Sequence, residues 1–237
     1  MKIHNNELLT LSLNIQSIRS KFSELQSILC SLGKESCFFD VICLQESWLS
    51  NMDCYDLFQF DGYKLYKKDL DNNCSKHGGL ITYIKDSVKV ENFEIINNYK
   101  SFEGLILNIL LNNKKFSVLN LYRPPSNQER NFEQFFNEFI PEITKFTKLK
   151  KEFIILGDFN INLLKVNVDK NFSTFFDLMI NFHCRPLITF PTRFSEKTAT
   201  LIDQIYCNSS PTSDSAERFE NSDYFQIFQI ISRFLYQ

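Results

Sequence analysis

Asn14, Glu46, Tyr122, Asp158 with Asn160, and Asp203 are the polar residues of this chain that could do chemistry together. All but Asp203 stand at the end of an apolar run. Asn14 closes the run from Leu8 to Ile15, and Gln45-Glu46 follows Asp40-Val41-Ile42-Cys43-Leu44. Tyr122 ends Ser117-Val118-Leu119-Asn120-Leu121, and Gly157-Asp158-Phe159-Asn160 follows Phe153-Ile154-Ile155-Leu156. Each has a plain structural reading. Gly, Asp and Asn form turns. Asn14 could cap the helix that follows it. Glu46 could be a surface carboxylate, and Tyr122 a core residue with a wet hydroxyl. Asp203 lies inside a strand pattern, where Asp is disfavoured and needs a partner. Their recurrence at strand ends favours a shared site, because loops at strand ends are where rigid scaffolds present chemistry. Carboxylates converging from different strands suit a hard divalent cation, and Mg²⁺ takes oxygen ligands while keeping several waters.

The elements that must position these residues are legible as runs. Leu8 to Ile15, Asp40 to Leu44, Leu80 to Ile84 and Phe153 to Leu156 read as buried strands. Val88 to Ile95, Gly104 to Leu111 and Phe116 to Tyr122 read as further strands, with Asn112-Asn113 as a hairpin turn. Leu201 to Tyr206 is another. Ile18, Phe22, Leu25, Ile28, Leu29 and Leu32 recur at helical spacing up to Gly33. Phe132, Phe135, Phe136, Phe139 and Ile143 mark a second helix, and Phe172 to Phe182 a third. Arg123-Pro124-Pro125-Ser126 must be a loop, since tandem prolines donate no amide hydrogen bonds. Strands in meanders plus strands alternating with helices predict an α/β fold of two packed sheets with helices outside. One domain is expected over residues 1–237, with a core at about 8–208. Ser209 to Arg218 carries no large apolar residue and predicts an exposed loop over 209–221, which would leave a sheet edge unprotected. Phe225 to Tyr236 could form a last strand.

Composition narrows the classes. With 43% hydrophobic residues, 25 Phe and only 6 Gly, the chain can build a large core and is not disordered. No apolar stretch is long enough to span a bilayer, and the first residues lack the apolar stretch of a signal peptide. Seven Cys form no zinc pattern, and Cys30, Cys43 and Cys207 sit in apolar runs. They read as reduced core thiols, which suits an intracellular protein, cytoplasmic or nuclear. The net charge of −2 argues mildly against a nucleic-acid binder unless a metal supplies local positive charge.

Six motifs in order resemble the endonuclease/exonuclease/phosphatase superfamily, and most closely the apurinic-type endonuclease domain of non-LTR retrotransposons. They are Leu13-Asn14-Ile15-Gln16-Ser17, Leu44-Gln45-Glu46-Ser47-Trp48-Leu49, His77-Gly78-Gly79-Leu80, Leu121-Tyr122-Arg123-Pro124-Pro125, Gly157-Asp158-Phe159-Asn160 and Thr200-Leu201-Ile202-Asp203. The phrase Pro186 to Arg193 is also typical of the retroelement branch. The resemblance runs from about Leu11 to Phe228. It implies a DNase-like four-layer α/β/β/α sandwich of two packed mixed sheets flanked by helices. It also implies hydrolysis of phosphoesters with Mg²⁺ or Mn²⁺. By similarity Glu46 would be the main metal ligand, with Asn14 beside it and Asp223 joining them. Asp158 would orient or deprotonate the attacking water, Asn160 would fix phosphate and water, and Tyr122 would donate to the phosphate. Asp203 would orient a catalytic His near the C-terminus. DNA is the expected partner, contacted by Lys76, Arg123 and Arg193, with Lys67 and Lys68 read as solvated charge. No membrane is expected, and the isolated domain is expected to be a monomer.

The last motif departs from the family pattern. Where the resemblance expects Ser-Asp-His, this chain has Ser222-Asp223-Tyr224. A phenol is uncharged at neutral pH and only donates one hydrogen bond, so Tyr224 in the catalytic position predicts impaired activity and an Asp203 without its partner. His4, His77 and His183 read as structural. Two other readings stay open: a phosphatase acting on a small phosphoester, or a vestigial fold that binds nucleic acid or protein without turnover.

Overall fold

The computed structural model describes residues 7–34, 38–70, 77–96, 99–125, 131–148, 152–195, 197–208, 216–219 and 229–235. Fourteen strands and three α-helices are described: β1 (Glu7–Asn14), α1 (Ile18–Lys34), β2 (Val41–Gln45), β3 (Tyr63–Lys68), β4 (Leu80–Lys85), β5 (Lys89–Ile96), β6 (Glu103–Leu111) and β7 (Lys114–Tyr122), then α2 (Phe132–Thr147), β8 (Glu152–Asp158), α3 (Lys170–Asn181), β9 (Arg185–Pro186), β10 (Arg193–Phe194), β11 (Ala199–Thr200), β12 (Asp203–Cys207), β13 (Ala216–Phe219) and β14 (Gln229–Leu235).

Two six-stranded sheets result, ordered β13-β14-β1-β2-β4-β3 and β5-β6-β7-β8-β12-β9, while β10 and β11 pair as a separate hairpin. Each sheet is mixed around one parallel pair. β1 runs parallel to β2, and β7 parallel to β8. Parallel neighbours need a long crossover, and α1 and α2 supply the two. The C-terminal ends of β1, β2, β7 and β8 are where the sequence placed its polar residues.

Alternation along the strands makes the layers. Leu8, Val41, Cys43 and Leu80 face Leu107, Val118, Leu156 and Ile205 between the sheets. On the first sheet's outer face Leu9, Leu11, Leu13, Ile42 and Leu44 pack against Ile18, Leu25 and Leu32 of α1. On the second sheet's outer face Leu119, Leu121, Phe153 and Ile155 pack against Phe135, Phe139 and Ile143 of α2 and Phe175 and Met179 of α3. All five residues of β2 are buried, because one side of it faces a helix and the other a sheet. The fold is therefore the expected α/β/β/α sandwich.

Four details differ from the sequence reading. The segment expected as an exposed loop carries β13, which pairs antiparallel with β14 and covers that edge. β3 has no clear period, because Lys64, Lys67 and Lys68 punctuate its apolar residues; it is the sheet's other edge, where lysines discourage pairing with further strands. β12 begins at Asp203, two residues later than the apolar run suggests. Cys30 is exposed, on the solvent side of α1, whereas Cys43 and Cys207 are buried as expected. The Asn112-Asn113 turn is as expected, with φ of 49° and 65°, the left-handed pair that a tight hairpin requires. No helix among the described residues is long and apolar enough to cross a membrane.

Candidate active site

Two backbone devices bring the site together. At the end of β8, Gly157 has φ +147°, and a Cβ there would lie 1.8 Å from the carbonyl oxygen of Leu121 on β7. Only glycine lets the two parallel strands approach this closely, and that approach sets Tyr122 opposite Asp158 in register. Beyond the strand ends, Glu46 and Asn160 take left-handed φ values of 54° and 49°. Such values are uncommon for residues with a Cβ and are tolerated where the surroundings over-determine them. Here neighbouring loops do so: Ser17 N donates to Glu46 O at 2.9 Å, and Trp48 N donates to Gly78 O at 3.0 Å.

Asn14 is the hinge of the constellation. Its Nδ2 donates to Glu46 Oε1 and to Asp158 Oδ2, both at 2.7 Å, so one amide joins the two sheets. Glu46 also accepts from Trp48 Nε1 at 3.2 Å, and the Tyr122 hydroxyl lies close to its carboxylate. His77 Nδ1 stands 3.9 Å from it and packs edge-on to Trp48. Neutral donors thus aim the Glu46 carboxylate without cancelling its charge. Tyr122 is nearly fully buried, and burial with the carboxylates of Glu46 and Asp158 pushes its hydroxyl far above the usual phenol range.

Asp158 is fully buried. Its Oδ1 accepts from Asn160 N at 2.9 Å, and its Oδ2 accepts from Arg193 Nη2 at 2.6 Å as well as from Asn14. Asp203 is its register partner across the antiparallel β8–β12 pair, and Thr192 Oγ1 accepts from Asp203 N at 3.2 Å. Burial and the neighbouring Asp203 charge raise the Asp158 pKa, against the opposing pull of Arg193, Asn14 and the Asn160 amide. Burial alone would lower the Arg193 pKa, but Asp203 and Asp158 more than reverse that and hold it protonated.

These contacts change three expectations. Asp203 does have a partner: Arg193 Nε donates to it at 3.3 Å, so one guanidinium bridges two carboxylates. Arg123 is not placed to contact substrate. It is 1% exposed, with Nη1 donating to the carbonyls of Phe159 and Asn160 at 3.3 and 3.4 Å and the guanidinium stacked 4.3 Å over the Phe132 ring. Burial pushes its pKa down to about 10. It props the Asp158–Asn160 loop from behind, helped by Asn160 Nδ2, which donates to Arg123 O at 2.7 Å. Lys68 is not solvated charge either; it forms a largely buried pair with Glu103 at 2.9 Å, and Glu103 accepts from Gly79 N. Lys67 pairs with Asp69 at 3.0 Å and lies over the Tyr55 ring. Lys76, Asp223 and Tyr224 lie outside the described residues.

A model of the Endonuclease/Exonuclease/phosphatase family matches residues 11–228. The chain belongs to this family. No curated protein sequence matches it significantly. Solved structures with the family's fold superpose over nearly the whole chain. AP endonuclease LMAP from Leishmania major has a TM-score of 0.78 at 13% identity, over 98% of this chain and 89% of that one. The endonuclease domain of TRAS1, a telomere-specific non-LTR retrotransposon, has a TM-score of 0.66 at 13% identity, over 96% and 97%. TDP2 from D. rerio, complexed with single strand DNA product, has a TM-score of 0.62 at 16% identity, over 96% and 98%. Members of the family are hydrolytic enzymes, nucleases and phosphatases, that commonly use divalent metals.

Sequence reasoning underrated two residues of this family site. Trp48 was visible only as part of a motif, yet its indole donates to the Glu46 carboxylate. Thr192 was visible only as part of a phrase, but its buried hydroxyl sets the start of β12 and hence Asp203. Arg193 has a further consequence. Removing its charge leaves two facing carboxylates, which raises the Asp158 pKa further. Arg193→Met should therefore depress hydrolysis more at pH 6 than at pH 9. A pH–rate profile checks this, and an unshifted acid limb would refute the electrostatic role.

Proposed function

We propose that the chain hydrolyses phosphodiesters in DNA, acting as a monomer with a divalent cation, at a rate lowered by Tyr224. The observation that carries this is the Asn14 amide joined to Glu46 and Asp158, which brings a cation-binding carboxylate and a water-orienting carboxylate to one point. The Glu46 carboxylate is a hard oxygen ligand that suits Mg²⁺ or Mn²⁺, and Asn14 would join it through Oδ1, which here accepts from Gln16 N at 3.3 Å while Nδ2 faces the carboxylates. Glu46 and Asn14 would hold the cation, with Asp223 as a third candidate. When bound, it would polarise a phosphate oxygen and stabilise the leaving oxyanion.

The chain's own residues do the rest. Asp158 accepts a proton from, or orients, the attacking water. Its buried surroundings favour that role, because a carboxyl raised toward neutrality is a better base than an exposed one. Asn160 has its amide nitrogen committed to Arg123 O, which leaves its Oδ1 as the acceptor for water. Arg193 presents the positive charge beside Asp158 and would attract the phosphate, with Lys76 as a further candidate contact. Tyr122, whose hydroxyl lies beside the Glu46 and Asp158 carboxylates, would donate to a phosphate oxygen. DNA as substrate accords with the single strand DNA product bound to the D. rerio TDP2 and with the endonuclease character of LMAP and the TRAS1 domain. It would place the protein in the nucleus or cytoplasm.

One observation favours a second reading, a fold that binds DNA without turnover. Arg193 already occupies Asp158 Oδ2, the oxygen that a water would use. The assay that separates the two is nicking of supercoiled plasmid. The chain should nick slowly with Mg²⁺ and not at all with EDTA, and Tyr224→His should accelerate nicking by about 10²–10⁴. Salt-dependent DNA binding with no nicking by either protein would replace hydrolysis by the binding reading.

A further inference from the structure

Beneath the site, a polar cluster interrupts the apolar layer between the sheets. Gln45, Asn120 and Thr82 are fully buried, and Ser12 nearly so. Gln45 Nε2 on the first sheet donates to Asn120 Oδ1 on the second at 2.7 Å and to Ser12 Oγ at 3.3 Å. Asn120 Nδ2 returns across the same gap to Ile81 O and Thr82 Oγ1, both at 3.1 Å, and to Leu44 O at 3.3 Å. Two facing sheets need no such bridge to stay together, since apolar contact suffices and buried amides bring a desolvation cost that only full pairing offsets. What an amide bridge adds is direction. Apolar side chains tolerate sliding, whereas a 2.7 Å hydrogen bond does not.

The bridge lies within two residues of Asn14, Glu46, Tyr122 and Asp158 along the strands or across their register. Gln45 precedes Glu46 and is the register partner of Asn14. Asn120 precedes Tyr122 by two residues, and its register partner Leu156 precedes Asp158 by two. Residues two apart on a strand share a face. Asn14, opposite Gln45, and Glu46, next to it in sequence, stand at the first-sheet end of the bridge, and Tyr122 and Asp158 share the face of its second-sheet end. The described contact between the two halves at the site itself is Asn14 Nδ2 to Asp158 Oδ2, made by groups that the proposed reaction would occupy. Something outside the reacting groups has to hold the halves apart at a fixed spacing while that contact is exchanged for substrate.

We propose that Gln45 and Asn120 are positioning residues, whose buried amide pair sets the separation between the Asn14–Glu46 half and the Tyr122–Asp158 half of the site. The inference rests on the hydrolytic reading above for its consequence in rate, and on geometry alone for its consequence in structure. The test is the double variant Gln45→Leu/Asn120→Val, which replaces both amides by apolar groups of similar bulk and strands neither. In this variant Asn14 Nδ2 and Asp158 Oδ2 should move out of hydrogen-bond range in a crystal structure. In the plasmid assay kcat should fall about 10²-fold while KM for DNA stays nearly constant, because a misplacement near 1 Å costs rate rather than binding. The exchanged pair Gln45→Asn/Asn120→Gln keeps the combined length and should restore both readouts in large part. If the double variant does not fold, Gln45→Met removes the 2.7 Å donor at unchanged length and is read the same way.

An unchanged Asn14–Asp158 separation overturns the inference whether or not the chain cuts DNA. Wild-type kcat in a folded double variant overturns it as well. If the parent chain and Tyr224→His both fail to nick, the hydrolytic reading falls, and the crystallographic separation alone decides the positioning role.

Discussion

Asp158→Asn should lower the rate of phosphodiester hydrolysis by about 10²–10⁴, with little change in KM for DNA. The amide has the carboxylate's shape, so the loop that accepts from Asn160 N keeps its form. It cannot take a proton, and with its oxygen kept on Asn160 N it turns a donor toward both Asn14 and Arg193 in place of an acceptor. The substitution leaves Glu46 intact, so metal binding at the Asn14–Glu46 side should persist. Trp48 is the chain's single tryptophan and donates to Glu46, so its fluorescence should still respond to Mn²⁺ in this variant. Loss of the metal response together with the rate would show that Asp158 is a ligand and not the water-side group. A rate within tenfold of the parent would remove Asp158 from the chemistry altogether.

Gly157→Ala should be the most destabilising single methyl addition in the described sheet core. The position needs φ +147°, and the new Cβ would overlap the Leu121 carbonyl, whose oxygen lies 1.8 Å from it. Ordinary strain at an unfavourable φ costs about 1–3 kcal/mol, and a backbone clash adds to it, so a loss of about 3–5 kcal/mol is expected. Against a domain stability of about 5–15 kcal/mol, that is a large fraction. Urea unfolding measures it directly. A midpoint near that of the parent would mean that β7 and β8 do not approach as closely as they do in this structure. Any surviving activity should fall as well, since the strand pair carries Tyr122 and Asp158 in register.

The contrast between Asp158 and Arg123 shows what a sequence can and cannot reveal about this site. That Asp158 meets Asn14 was legible because Gly157-Asp158 follows four large apolar residues and so puts a carboxylate at a strand end, as Asn14 stands at another. Arg123 gave the same kind of signal, a charge after an apolar strand, and the inference to a substrate contact failed. Its guanidinium turns inward over Phe132 and toward the Phe159 and Asn160 carbonyls, and no local pattern distinguishes an arginine that points out from one that props a loop. Arg193 differs in the opposite sense. It was read as a candidate contact with substrate, and the structure pairs it with Asp158 and Asp203, residues 35 and 10 positions away.

Strand and helix periods, the glycine at 157 and the carboxylates at strand ends are local properties, and the sequence by itself determined them. They are written within a few residues, since backbone sterics and burial act at that range. The two-sheet architecture was also within reach, because parallel pairs with helical crossovers follow from the order of elements. The pairing of charges, the addition of β13 alongside β14 and the Gln45–Asn120 bridge were decided only by the tertiary structure. Each depends on side chains or strands distant in sequence meeting across a gap, and the energy of such a meeting depends on angstrom-scale distance, which no spacing along the chain encodes.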